Sequence, residues 1–167
     1  MPYHKVPNWT PGNGLEVLTF GLGGETFALE AGIVREILDM MPVTKVPGAD
    51  ALAAAVINFR GRIVPLADLR GSFGMEAHAT TADSRIIVIE LDMDGNPILI
   101  GLAADRVNEV TVLHAGDAEE APVIGMRWPR DHVRCLVRRE GDVVVLPDLP
   151  ALFARLTAHA TEAVSVH

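Results

Sequence analysis

The sequence predicts a mainly β chain of small barrels that closes with a short helix. Three observations predict it. Hairpin signals recur along the chain, Gly, Pro, Asn and Asp punctuate short apolar runs throughout, and the last apolar stretch carries helical spacing. With 167 residues, 49% of them hydrophobic and only 5% aromatic, the chain can bury an aliphatic core, either of one domain or of two small lobes that share it.

Residues 1–14 hold Pro2, Pro7, Pro11, Gly12 and Gly14, which break helices and strands alike, so they read as a flexible arm. From Leu15 a strand pattern, then Gly23-Gly24, then Thr26-Phe27-Ala28-Leu29, predict a first hairpin. Between Ala31 and Met40, Ile33, Val34, Ile37 and Leu38 recur at spacings of three and four and predict a short helix that Pro42 ends. Ala51 to Ala55 suit one or two helical turns with Asp50 near the N-cap. Extended character returns at Val56 and continues past Arg60-Gly61-Arg62 into Ile63 and Val64. Pro65 cannot donate to a ladder, so its strand lies at an edge or sets Pro65 where no partner is needed.

Arg85 to Leu91 reads as a buried strand, joined through Asp94-Gly95-Asn96-Pro97 to Ile98–Ala103. A third hairpin runs from Val133–Val137 through Glu140-Gly141 to Val143–Leu146. Leu149, Leu152, Phe153 and Leu156 then predict an amphipathic helix, after which residues 158–167 form a flexible tail. No sequence repeat is present.

The chemistry is mostly negative. A net charge of −8 repels phosphate backbones and argues against nucleic acid as a partner. Arg127, Arg130, Arg134, Arg138 and Arg139, with Trp128 among them, read either as a solvated strand face or as a patch for an acidic protein. Cys135 is the only cysteine, which excludes an intrachain disulfide and suits the cytoplasm; within an apolar strand it reads as a buried, inert thiol. No signal peptide opens the chain and no run nears the roughly 20 apolar residues of a membrane span. The six histidines are scattered, no phosphate-binding glycine loop occurs, and Ser72 and Ser84 lack a nucleophile's setting. Glu119-Glu120 and the Asp92, Asp94 pair read as solvated turn residues. No enzyme, metal or cofactor is expected.

Val56-Ile57-Asn58-Phe59-Arg60-Gly61-Arg62-Ile63-Val64-Pro65-Leu66-Ala67-Asp68-Leu69-Arg70 resembles the most recognisable stretch of CheW-like adaptor domains, Asn-x-Arg-Gly followed by Ile-Val-Pro and Asp-Leu-Arg. The flanks agree in order and spacing: Leu18-Thr19-Phe20 to Phe27-Ala28-Leu29, Val34-Arg35-Glu36-Ile37-Leu38, Ile100-Gly101-Leu102-Ala103-Ala104-Asp105-Arg106-Val107, and Val143 to Phe153. The domain so defined covers residues 15–157. The resemblance implies two SH3-like five-stranded barrels on a shared apolar core, with short helices and no active site.

It also implies a scaffold that couples the cytoplasmic tip of chemoreceptors, held in a groove between the barrels, to the regulatory domain of the histidine kinase CheA, bound through barrel ends. Such a protein works in the cytoplasm at membrane-associated receptor arrays. Matched by motif, Val34, Glu36, Asn58 and Arg60 are similar to positions at or near the receptor groove.

From the residues alone, Arg60 reads as a partner contact or as an internal brace, Glu36 equally as a helix's solvent face, and Val34 equally as core. Ala55 and Cys135 stand where many relatives have glycine; a positive φ there would strain either side chain. Two further readings are an adaptor of a non-flagellar, pilus or surface-sensing pathway and a small-molecule sensor that uses the inter-barrel cleft.

Overall fold

The computed structural model describes residue 9, residues 12–119, residues 129–154 and residue 156. Its strands are β1 (Gly14–Leu22), β2 (Glu25–Glu30), β3 (Val34–Asp39), β4 (Thr44–Lys45), β5 (Ala55–Phe59), β6 (Arg62–Ala67), β7 (Arg85–Met93), β8 (Asn96–Ala104), β9 (Arg106–His114), β10 (Ala118–Glu119), β11 (Val133–Arg139) and β12 (Asp142–Pro147). They form two sheets, ordered β10-β11-β12-β2-β1-β9 and β3-β7-β8-β6-β5-β4. Each has five full strands and one two-residue strand at an edge, which matches the predicted mainly β architecture of two five-stranded units.

Both sheets follow one plan. Two antiparallel hairpins meet through a short parallel pairing, β12 with β2 in one sheet and β6 with β8 in the other. The second sheet, residues 34–104, is an insertion between β2 and β9 of the first. The two are called here the inserted lobe and the split lobe. Their repetition is structural and leaves no trace in the sequence.

Turn chemistry fixes the hairpins. All four are closed by two residues with positive φ: Gly23-Gly24, Arg60-Gly61, Asp94-Gly95 and Glu140-Gly141. That backbone matches the right-handed twist of the flanking strands, and glycine occupies the second position every time. At Gly23 an added Cβ would also run into the Met75 thioether, which would have to move. The third hairpin turns at Asp94-Gly95 alone, with Asn96 and Pro97 already in β8.

Pro65 shows how an interior strand accommodates proline. The two-residue turn makes Phe59 and Arg62 a hydrogen-bonded pair, and alternation along the ladder leaves Val56–Pro65 non-bonded. The Pro65 nitrogen thus faces β8, whose pairing with β6 begins one residue later at Leu66–Gly101. No donor is missed.

The helix expected over 31–40 is corrected. Ala31–Ile33 is a single 3-10 turn and Val34–Asp39 is the edge strand β3 on β7. A β-bulge explains the misleading spacing: Arg35 is an extra residue, so Val34 opposes Ile89 while Ile37 opposes Ile87 on the same face, three positions later. The β-branched Ile33, Val34 and Ile37 also favour the extended form. Strand β9 was not anticipated, because as an edge strand it exposes Val110 and Val112 and lacks a clean alternation.

The Ala51–Ala53 turn is present, with Asp50 Oδ1 accepting the Leu52 amide at 2.9 Å. The closing helix α1 starts at residue 149, where Asp148 Oδ1 caps the Ala151 amide at 3.1 Å, and buries Leu149, Leu152 and Phe153. Within residues 1–14, read above as a flexible arm, Trp9 is instead buried in the split lobe and Gly14 opens β1. Residues 158–167 lie outside the described residues.

Three cores result. β1, β2, β7 and β12 bury both faces, one towards their own lobe and one towards the other. The split lobe's private core includes Trp9, Val17, Leu113, Cys135 and Leu146; the inserted lobe's is Ile57, Val64, Ile86 and Val88. The shared core is larger, with 21 buried residues from both lobes among the described residues, including Phe20, Phe27, Leu69, Ile87, Leu102 and Phe153. Phe73 reaches from the inserted lobe to stand edge-on to Phe27, with ring centroids 5.0 Å apart, and packs against His132 at 6.0 Å. Phe73→Ala leaves a cavity where the lobes meet and should cost about 3–5 kcal/mol by urea denaturation, with one cooperative transition retained.

Candidate functional site

Arg60 sits at the tip of the β5–β6 hairpin with φ 51°, a left-handed conformation that costs a side chain roughly 1 kcal/mol or more. Two contacts hold it. Its guanidinium lies 5.2 Å from the centroid of Phe59, and Nη2 donates to Glu36 Oε1 at 3.0 Å. Phe59 packs on the inserted lobe's private core, so the Arg60–Glu36 pair joins the hairpin to edge strand β3 and covers one end of that core. The Arg60 side chain nevertheless remains 72% exposed. It is an internal brace that still presents most of its surface to solvent.

Asn58 anchors the same hairpin: Oδ1 accepts the Gly61 amide at 3.0 Å. Alternation along β5 turns Asn58 away from the private core that holds Ile57, together with Ile63, its cross-strand partner. Ile63 is 70% exposed, the most exposed of the large hydrophobics among the described residues. This outer face continues, strand by strand, into the face that packs on the split lobe. Ile37, 43% exposed, and Val34, packed against the shared core, belong to it as well.

The structure thus brings Glu36 and Arg60 into direct contact and places Asn58 two residues away on the same hairpin. Val34 points to the opposite side of β3, towards the lobe junction. Ile37 and Ile63 were missed from sequence because Ile63-Val64-Pro65-Leu66 is apolar without a break and gives no parity. The helical reading of 31–40 assigned Glu36 to a helix; it lies on a strand.

The basic run is spent internally where it is described. Arg134 pairs with Glu30 at 3.1 Å, Arg138 with Glu119 at 2.8 Å, and Arg139 with Glu109 at 2.9 Å. The hydrogen bond to Glu119, then its charge, raises the Arg138 pKa. Of these three only Arg138 is largely exposed; Arg127 and Trp128 lie outside the described residues. Neither Ala55 nor Cys135 has positive φ, so their side chains carry no such strain, and Cys135 is buried at a bulge of β11. No cluster of three or more His, Cys, Asp or Glu among the described residues is placed to hold a metal. No helix there is long and apolar enough to cross a membrane.

Between the lobes lies an open cleft of about 630 Å³, lined by Asp50, Leu52, Asp68 and Ser72 on one side and His132 and Leu152 on the other. Its polar groups are largely committed. Asp50 caps Leu52, Asp68 accepts from Arg70, and His132 Nδ1 lies 2.8 Å from the Ser72 carbonyl oxygen.

The model of the CheW-like domain matches residues 16–157. The chain is 30% identical over 140 residues to the chemotaxis protein CheW of Rhizobium meliloti, covering 84% of this chain and 88% of that one. It is 35% identical over 89 residues to Protein PilI of Pseudomonas aeruginosa, covering 53% and 47%. The crystal structure of the scaffolding protein TtCheW from Thermoanaerobacter tengcongensis superposes with a TM-score of 0.74 at 27% identity, covering 84% and 88%.

An exposed ion pair is worth only about 0–1 kcal/mol, no more than the strain at Arg60. Arg60→Gly should therefore unfold within about 1 kcal/mol of wild type in urea.

Proposed function

The chain belongs to the CheW-like domain family of chemotaxis adaptors, and on that premise we propose that it couples the cytoplasmic tip of chemoreceptors to the regulatory domain of the histidine kinase CheA, without catalysis of its own. The observation that carries this reading is the surface of the inserted lobe. A strained arginine is retained at a hairpin tip where glycine would serve the fold equally well. Its pair with Glu36 holds it in place, with Asn58 and the exposed Ile63 on the same hairpin. The same backbone conformation occurs at Asp94 and Glu140, so what distinguishes Arg60 is its pairing with Glu36 and its place on the hairpin that carries Asn58 and Ile63. A rigid, preorganised arginine beside apolar side chains is suited to a helical partner that offers a carboxylate and an apolar stripe.

In this reading Arg60 and Glu36 set the polar end of the receptor site. Asn58, Ile63 and Ile37 supply its floor, and Val34 supports it from the lobe junction. The kinase domain engages elsewhere, at barrel ends, so that both partners are held at once. The protein acts in the cytoplasm, at arrays of membrane receptors.

The match to Protein PilI keeps a second reading open, the same adaptor role in a pathway other than flagellar chemotaxis. Receptor tips from the two kinds of pathway distinguish them by affinity. The small-molecule sensor reading rests on the inter-lobe cleft alone, and thermal-shift screening of metabolites against the purified protein tests it.

Arg60→Glu replaces the brace with a charge that repels Glu36 and any receptor carboxylate. Calorimetry with a receptor-tip fragment should show at least about a tenfold loss of affinity. Binding of the kinase regulatory domain should stay within about twofold of wild type. Loss of both, or of neither, contradicts the assignment of this surface to the receptor.

A further inference from the structure

One buried charge has no part in the surface just described. Arg70 follows β6 in the inserted lobe and is only 7% exposed. Its Nη1 donates to Asp68 at 3.3 Å and its Nη2 donates to Asp105 Oδ1, while Nε is buried without a partner. Asp105 is the single residue between β8 of the inserted lobe and β9 of the split lobe. Its other oxygen, Oδ2, accepts the Gly23 amide of the β1–β2 turn at 2.8 Å, and its own amide donates to the Gly21 carbonyl at 2.8 Å. One carboxylate therefore binds both lobes at the point where the chain crosses between them.

The surroundings repeat the pattern. Met75 packs over Gly23, Phe73 enters the shared core, and the Ser72 carbonyl meets His132. Residues 70–75 of the inserted lobe are thus clasped along their length by the split lobe. The shared core holds the lobes together, but the apolar driving force behind it is itself non-directional. Burying a guanidinium against carboxylates that stay partly exposed is a poor source of stability compared with packed aliphatic side chains, and here it also leaves one N–H unsatisfied. What it provides that an apolar residue cannot is direction: a guanidinium fork and a carboxylate match in only a few orientations.

We propose that the Arg70–Asp105–Gly23 link is a positioning device that fixes the orientation of the two lobes, and through it the affinity for a partner seated on the inserted lobe's outer face where that face meets the split lobe, without touching that partner itself. This rests on the receptor surface assigned above for its functional consequence, but not for its structural one. Arg70 and Asp105 are positioning residues. Breaking the link frees the lobes to rotate over the shared core, and a groove between them loses its single shape.

The test reads the two parts separately. Spin labels at Asp92→Cys in the inserted lobe and Asp142→Cys in the split lobe, both exposed positions, report the inter-lobe distance by pulsed electron resonance, while Cys135 stays buried and unlabelled. Wild type should give one narrow distribution. Asp105→Asn, which keeps an acceptor for Gly23 but loses the charge, should broaden it with far-UV circular dichroism unchanged. An unchanged distribution overturns the proposal whatever the partner does.

Without labels, Asp105→Asn should weaken the receptor-tip fragment by about tenfold and the kinase regulatory domain by less than about twofold. A broadened distribution with receptor affinity unchanged would overturn the functional half. If wild type binds neither fragment, the adaptor reading fails while the distance measurement still decides the link. Should Asp105→Asn not fold, Arg70→Lys takes its place, keeping the charge but losing the fork, and the same outcomes decide.

Discussion

The structure depends on one shared apolar core. Each lobe is a small sheet that closes over little of its own: among the described residues, the inserted lobe's private core has Ile57, Val64, Ile86 and Val88 fully buried, with partly buried side chains such as Leu38, Phe59 and Leu66 around them. A core of that size does not offset the conformational entropy of ordering residues 34–104. What makes both lobes stable is the larger cluster between them, to which β1, β2, β7, β8, β12 and α1 all contribute a face. This requirement explains why strands such as Arg85–Met93 are apolar on both sides. It also explains why Phe73, Leu149 and Phe153, which lie outside the strands, are nearly inaccessible.

The receptor surface proposed here begins where that core ends. The outer face of the inserted lobe leaves the lobe junction and runs to the β5–β6 hairpin, so apolar surface continues from a packed interface to an open one. Ile37 and Ile63 lie on the open part, and the Glu36–Arg60 pair lies on the other side of the sheet, over one end of the private core. An adaptor needs such a surface to be rigid before its partner arrives, because ordering it on binding would cost affinity. The positive φ of Arg60 and the bond from the Gly61 amide to Asn58 provide that rigidity locally.

Much of this was legible in the sequence, and the reasons are specific. Glycine at the second turn position marked three of the four hairpins because positive φ is expensive for any other residue there; the fourth, at Arg60-Gly61, was hidden in a stretch that reads as continuously extended. The closing helix was legible because Leu149, Leu152 and Phe153 bury a single face. The Asn58-x-Arg60-Gly61 motif located the hairpin that now carries the candidate site. Strand β3 was misread because a bulge gives it the spacing of a helix, a feature no count of periodicity detects. Strand β9 escaped notice because an edge strand does not need to alternate. The Arg70–Asp105 link was present in two recognised motifs, but their meeting across the lobes is a tertiary fact, and Trp9 was hidden by the prolines and glycines around it.

The central claim is that this chain holds two partners at once, and sedimentation velocity tests it most directly. A receptor-tip fragment and the kinase regulatory domain are run together, with and without the purified protein. The account predicts that the two fragments sediment separately alone and that a single faster boundary, with the mass of all three components, appears when the protein is added. Two binary complexes that never combine, or no complex at all, would contradict it.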